Sequence, residues 1–302
     1  MNNKKFRGIF GIPVTPFNND ESIDYNSLEK VINFTVENGC NGIVIPVMAS
    51  EYQTLTDEER KKIIEKTTKI VNGKIPVVAG ITGMSNIHSL ELGLFAESIG
   101  VDSVIAMAPF SSPTNFNEIF SFFELLSNNL TVPIFIQNHS IGAVMNSEQL
   151  YKICENLDRV NYVKEESRFP GQISSSLLQL DKNINCYGIM SGYSGRFLID
   201  DFKRGISGCM PGSHYGDIHS NIWNLLENDK EDEAREIYDK LLPLINIENL
   251  YGIPVFKEIL YKRGIISNTL VRSPGKTYLD KYDLKEINFL FNSIKDLFTW
   301  EN

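Results

Sequence analysis

Val160-Asn161-Tyr162-Val163-Lys164-Glu165-Glu166-Ser167 is a short β-prone run that carries a lysine to the end of a buried strand. Two readings fit it. Desolvation disfavours an ammonium, so a buried lysine can supply the neutral amine that attacks a ketone. Alternatively, Lys164 is an ion-pair partner of Glu165 or Glu166 at the strand end and does no chemistry. The residues on either side decide what kind of strand this is.

Outward from this run the chain alternates between strand and helix patterns. Toward the N-terminus, apolar runs of strand length stand at residues 10–14, 42–47, 75–79, 103–108 and 133–137. Each is followed by a segment of helical periodicity. The first helix is expected to be capped by Asn26 or Ser27 and to turn Leu28, Val31 and Ile32 inward. The second opens on a capping box at Thr56 and Glu59. The third is expected to bury Leu90, Leu94 and Ile99, the fourth Ile119, Phe120 and Phe123, and the fifth starts near Asn146. Beyond Lys164 come a helix at 173–180, a strand at 186–190, a helix at 195–203 and an eighth strand at 206–210. Eight such units fit an α/β fold of the (β/α)8 TIM-barrel type better than an open sheet. From about residue 219 only amphipathic helical segments remain. The expected organisation is a barrel over residues 1–218 and a C-terminal helical extension over 219–302, packed on the barrel.

Composition narrows the function classes. A chain of 302 residues with 42% hydrophobic residues can bury the core such a barrel needs. No run of about 18 apolar residues is present, and residues 1–5 do not resemble the start of a signal peptide. Cys40, Cys154, Cys186 and Cys209 are widely spaced without a Cys-x-x-Cys pair, as suits free thiols. The expectation is a soluble, cytoplasmic protein with no membrane partner. A net charge of −9 without a basic run argues against nucleic acid.

In a barrel of this kind, chemistry sits at the C-terminal strand ends and in the loops beyond them. That rule puts Lys164 in the mouth with Ser50 and Glu51 after the second strand, Gln137, Asn138 and His139 after the fifth, and residues 191–194 after the seventh. Residues 208–212 close the ring. Backbone amides in such turns can bind a carboxylate.

The segments 13–16, Ser50-Glu51 with 55–60, Val163-Lys164-Glu165 and Ser191-Gly192 resemble the dihydrodipicolinate synthase and N-acetylneuraminate lyase superfamily over essentially the whole chain. The resemblance implies a lyase working through a Schiff base on Lys164, without cofactor or metal, and a homo-oligomer, tetramer or dimer. Departures from the synthase pattern bear on the substrate. The usual Gly-Thr-Thr-Gly-Glu turn reads Val47-Met48-Ala49-Ser50-Glu51. The tyrosine before Asn138 is Gln137, the second relay tyrosine corresponds to Ser111, and residues 139–143 hold no arginine clamp. In the runs 45–51, 134–138 and 241–249 the chain is similar to the L-2-keto-3-deoxyarabonate dehydratase branch.

The chemistry implied is attack of Lys164 on the C2 ketone of a 2-keto-3-deoxy acid, then loss of a C3 proton. Expulsion of the C4 hydroxyl makes a dehydratase, and C3–C4 cleavage makes a pyruvate-type aldolase. A barrel that binds a keto acid without turning it over is the third reading. Gln137 is a candidate for orienting the leaving hydroxyl, and His139 is the candidate acid–base group, with a loop anchor as its other reading. Ala49 and Ser50 are candidates for the substrate carboxylate, Asn138, Ser167 and Ser191 for further substrate contacts, and Met210 for a backbone contact. Glu51 reads as a structural partner. His214, Asp217 and His219 do not suggest a metal site, because Gly212 and Gly216 argue against a helix there and a spacing of five does not stack two imidazoles.

Overall fold

The computed structural model describes residues 6–110, 114–180 and 186–300. Ser111, the position of the second relay tyrosine, lies outside them. Strands β1 (Gly8–Gly11), β2 (Gly42–Ile45), β3 (Val77–Gly80), β4 (Ser103–Ala106), β5 (Ile134–His139), β6 (Val160–Glu166), β7 (Gly188–Ser191) and β8 (Gly208–Cys209) alternate with helices. These are α1 (Tyr25–Glu37), α2 (Asp57–Val71), α3 (Asn86–Ser98), α4 (Phe116–Asn129), α5 (Ser147–Asn156), α6 (Pro170–Leu180), α7 (Leu198–Lys203) and α8 (Gly216–Glu227). The strands form a closed barrel in chain order, so the fold is the (β/α)8 barrel expected of the alternation. Helices α9 (Glu231–Tyr251), α10 (Ile253–Lys262) and α11 (Lys281–Ser293) follow.

Local chemistry accounts for most boundaries. Thr56 and Glu59 form the expected capping box of α2, and Asn146 with Gln149 forms the same device on α5. On α1 the expectation fails by two residues: Asp24 is the cap, and Asn26 and Ser27 donate their amides to it at 3.1 and 3.0 Å. Asp24 stands where its side chain reaches these two amides of the first turn, and its second oxygen takes the Ser27 hydroxyl at 2.6 Å. The inward face of α3 also differs. Ser89, Leu92, Gly93 and Ala96 are buried, while Leu94 is exposed, because small residues let this helix lie close to the barrel. On α4 the buried aromatic pair is Phe122 and Phe123, with Phe120 only half-buried. The expectation of no helix near His214 is also corrected. A 3-10 turn (Ser213–Tyr215) leads into α8, which begins at Gly216.

The chain divides into two compact units. Among the described residues, one comprises 6–7, 76–110, 114–180, 186–192 and 197–209, the other 8–75, 193–196 and 210–300. In the first, β5 and β6 pair in parallel with Phe135 level with Tyr162 and Gln137 level with Lys164. Strand alternation then puts Phe135, Gln137 and His139 on one face together with Tyr162, Lys164 and Glu166. Phe135 stacks on Tyr162 at 4.6 Å between ring centres, and Phe6 packs on both. The Tyr162 hydroxyl accepts from the Phe6 amide at 3.3 Å. An aromatic layer thus underlies Lys164 one residue pair further on. In the second unit, α10 packs against α1 through Phe256, Leu260 and Phe34, with Val14 and Ile265 in the same cluster. Each such side chain taken from water is worth about 1.5–3 kcal/mol, so this contact holds the C-terminal helices firmly to their unit.

Candidate active site

Lys164 is 3% exposed and lies on the face described above, between Tyr162 and Glu166. Its Nζ lies 3.0 Å from Oε2 of Glu166, two residues on and therefore on the same side of the strand. Gln137 Nε2 donates to the same oxygen at 2.9 Å. Glu166 is thus the hub of a Lys164–Glu166–Gln137 set. Burial opposes its charge, but Lys164, then His139 and Gln137, outweigh burial and hold its carboxyl below the usual range. Gly192 makes the room: a Cβ there would lie 2.0 Å from Glu166 Oε1. The ion-pair reading of Lys164 and the nucleophile reading therefore meet in one arrangement, because the partner that holds the ammonium is also a base within reach of its proton.

His139 is half-buried at the end of β5, level with Glu166. Its Nδ1 accepts the Ile141 amide at 3.0 Å, and its carbonyl accepts the Gly142 amide at 2.9 Å. Burial lowers its pKa, with Glu166 pulling the other way and Lys164 adding to the fall. A neutral ring that accepts at Nδ1 carries its proton on Nε2 and so offers a donor there, not a base.

Asn138 and Ser167 are gathered around Glu165, not Lys164. Asn138 Nδ2 donates to Glu165 Oε2 at 2.7 Å, and the Ser167 amide donates to Oε1 at 2.8 Å. Asn138 also bonds both backbone groups of Met145, which zips the loop that carries His139. Ser191 is level with Glu165 in the β6–β7 register. Beside it, Asp201 of α7 is pushed up to about 6 by burial, with the Ser191 hydroxyl opposing the rise. Burial likewise lifts Glu165 to about 7, against the pull of Asn138 and Ser167.

The turn after β2 belongs to the second unit. Ser50 is buried in the 3-10 turn Met48–Ser50, and its Oγ donates to the Pro13 carbonyl at 2.6 Å. Thr15 Oγ1 donates to the Ser50 carbonyl at 2.7 Å, which explains the hydroxyl in segment 13–16. Ala49 is half-buried on the first turn residues, where a 3-10 turn leaves amides without an internal partner. Glu51 closes the turn in the left-handed region (φ 58°), at a cost of about 1 kcal/mol for a residue with a Cβ. Its carboxylate pairs with Lys257 at 2.5 Å, the partner role expected of it. Met210 is buried just after β8, where the chain runs on to bond Ile12 from Pro211.

The two histidines and Asp217 go separate ways. His214 Nε2 meets Glu248 at 2.7 Å, His219 Nε2 meets the Ser194 carbonyl at 3.0 Å, and Asp217 takes Arg263 in a two-pronged pair. Among the described residues no group of three His, Cys, Asp or Glu side chains could hold a metal.

Sequence reasoning had Glu166 only as an ion-pair partner. The signal that it belongs to the site was its two-residue spacing from Lys164. The partner Lys257 had no signal, since nothing in its helix marks it as buried against a distant turn.

Fold and site together define an enzyme of the barrel class with a buried lysine on a strand that ends beside a carboxylate. The sequence matches the dihydrodipicolinate synthetase family over residues 5–289, and the chain belongs to that family of lyases. It is 30% identical over 298 residues to a 4-hydroxy-tetrahydrodipicolinate synthase of Methanocaldococcus jannaschii, covering 97% of this chain and 99% of that one. An L-2-keto-3-deoxyarabonate dehydratase of Azospirillum brasilense is 27% identical over 276 residues, 89% of each chain. The crystal structure of a dihydrodipicolinate synthase from Rhodopseudomonas palustris superposes with a TM-score of 0.89 at 24% identity, covering 96% of this chain and 98% of that one. Among the described residues no helix is long and apolar enough to cross a membrane.

Proposed function

We propose that this lyase dehydrates a 2-keto-3-deoxy sugar acid of the L-2-keto-3-deoxyarabonate kind through an imine on Lys164. The observation that carries the reading is the shared oxygen of Glu166, bonded by Lys164 Nζ at 3.0 Å and Gln137 Nε2 at 2.9 Å. Where a synthase has a phenol that shuttles protons, this chain has an amide that cannot titrate. The amide instead orients a carboxylate beside the imine nitrogen.

Lys164 gives its proton to Glu166, and the free amine attacks the C2 ketone. The resulting carbinolamine loses water as Glu166 returns the proton, leaving a protonated imine. Glu166 then takes a C3 proton to form the enamine. The enamine expels the C4 hydroxyl, which leaves as water with that same proton. Transfer of a C5 proton to C3, carried by Glu166, leaves a C5 enol that tautomerises to the aldehyde, and hydrolysis of the imine by one water releases the 2-keto acid semialdehyde and restores Lys164. The net change is loss of one water. General acid–base help of this kind is worth roughly 10²–10⁴ in rate. Ala49 and Ser50 form the proposed carboxylate-binding turn, the Ala49 amide donating while Ser50 fixes the turn through its bonds to Pro13 and Val47, and Met210 is a backbone contact. His139 donates from Nε2, while Asn138, Ser167 and Ser191 support the site from the Glu165 side.

The aldolase reading is favoured by the synthase names of the more similar relatives. A substrate panel decides between them. With a 2-keto-3-deoxy pentonate the dehydratase yields a semialdehyde, and with a hexonate a 2,5-diketo acid; release of pyruvate and an aldehyde, or condensation of pyruvate with aspartate semialdehyde, overturns it in favour of the aldolase. No turnover of any keto acid favours the binding barrel. Exposed Met84, Ile87, Leu94 and Phe110 support a homo-oligomer, tetramer or dimer, and four free cysteines support a cytoplasmic setting.

A further inference from the structure

We propose that Lys257, on α10, is a positioning residue for the carboxylate-binding turn, acting through Glu51. The inference rests on the reading of the Ala49–Ser50 turn as the carboxylate binder. Glu51 follows Ser50 directly, and its amide donates to the Met48 carbonyl at 3.0 Å, so its backbone closes the turn. The left-handed conformation there (φ 58°, ψ 34°) is one a glutamate adopts only when something holds it. Its side chain is the holder. One carboxylate oxygen lies 2.5 Å from Lys257 Nζ, and the other accepts the Arg272 amide at 3.0 Å.

Lys257 is itself fixed in one place. Its ammonium donates to the Leu270 carbonyl at 2.6 Å and sits 4.5 Å from the centre of the Phe17 ring. Arg272 fastens the same segment to α2 by a two-pronged pair with Glu59 at 2.7 and 2.9 Å, and donates to the Thr54 carbonyl at 3.0 Å. The stretch from Glu51 to Glu59 is therefore pinned at both ends by residues of the C-terminal helices and the segment after them. From the other side, Thr15 and the Pro13 carbonyl hold Ser50. A fully buried ion pair is a poor source of stability compared with an apolar pair of the same size, but it fixes direction. Here the direction it fixes is that of the turn, and neither member of the pair takes part in the proton transfers at Lys164.

The test is borohydride trapping of the imine on Lys164 as a function of ketone concentration. Two probes are used: pyruvate, and hydroxyacetone, which has the ketone but no carboxylate. Lys257→Met is expected to raise the half-saturating pyruvate concentration by about tenfold, since a misplacement near 1 Å is costly. Adduct yield at saturation is retained, and hydroxyacetone trapping changes less than twofold. Glu51→Gln, which keeps the volume, is expected to do the same and decides the matter should Lys257→Met not fold. Unchanged pyruvate half-saturation, or equal weakening of both probes, overturns the inference while leaving the imine intact. Absence of any adduct in the unaltered protein removes the imine reading, and this inference with it.

Discussion

Gly192→Ala tests the geometry of the lysine site without touching a reacting group. A Cβ at position 192 would stand 2.0 Å from Glu166 Oε1 and 2.4 Å from both Cδ and Cγ. Ordinary contact needs about 3.4 Å, so the carboxylate has to move by more than about 1 Å. The end of the side chain cannot simply swing aside, because Glu166 is buried and bonded to both Lys164 and Gln137. A shift of that size takes the 3.0 Å Lys164 pair to the edge of ion-pair distance. Misplacement by about 1 Å in a preorganised site costs on the order of 10²-fold in rate. The expected outcome is imine formation with pyruvate slowed by roughly 10²-fold, read as the rate of borohydride-trapped adduct, in a protein whose circular dichroism is unchanged. Adduct formation within twofold of the unaltered rate would refute the placement of Glu166 as the proton carrier.

Glu166→Gln should slow imine formation by about 10²–10⁴ and remove the acid limb of its pH–rate profile. Lys164→Arg should abolish trapping altogether, as a guanidinium supplies no primary amine; a residual adduct on another lysine by peptide mass mapping would show that Lys164 is not the nucleophile. His139→Asn should lower turnover by less than about tenfold, since its ring offers a donor and Glu166 carries the protons; a larger loss with an altered pH profile would reinstate the imidazole as the base. Glu165 titrates at about 7 in the fold against an ordinary 4.5, so the folded state binds the extra proton between those values, and stability falls as pH rises through that window. Chemical denaturation should show Glu165→Gln losing up to about 3 kcal/mol less than the unaltered protein between pH 4.5 and 8; identical pH slopes would contradict the burial of that carboxyl.

The barrel was legible because each strand is short, apolar and followed by a helix with its own start signal, as at Thr56-Glu59 and Asn146. Where boundaries were misplaced, a neighbouring residue satisfied the same physical need better. Asp24 caps α1 ahead of Asn26 and Ser27. On α3, Gly93 and Ala96 set the buried face, while the larger apolar Leu94 points to solvent, so size alone is a misleading guide there. At the site, alternation along β6 placed Lys164 and Glu166 on one face. It could not show that Gly192 on the next strand leaves space for the carboxylate, nor that Gln137 spends its amide there. Asn138 and Ser191 sit at strand ends like the reacting residues, yet their one-residue offset in register turns Asn138 to Glu165 and leaves the Ser191 hydroxyl beside Asp201. The Glu51–Lys257 pair joins residues with no shared pattern in the chain, and only the packing of α10 brings them together.

The central claim is that Lys164 forms a covalent imine with a 2-keto acid. Incubation with a 2-keto-3-deoxy acid or pyruvate, reduction with borohydride and peptide mass spectrometry tests it directly, with a known Schiff-base aldolase as positive control. The account requires a secondary-amine adduct of the keto acid on the peptide that contains Lys164. An unmodified Lys164 alongside a modified control enzyme would contradict it.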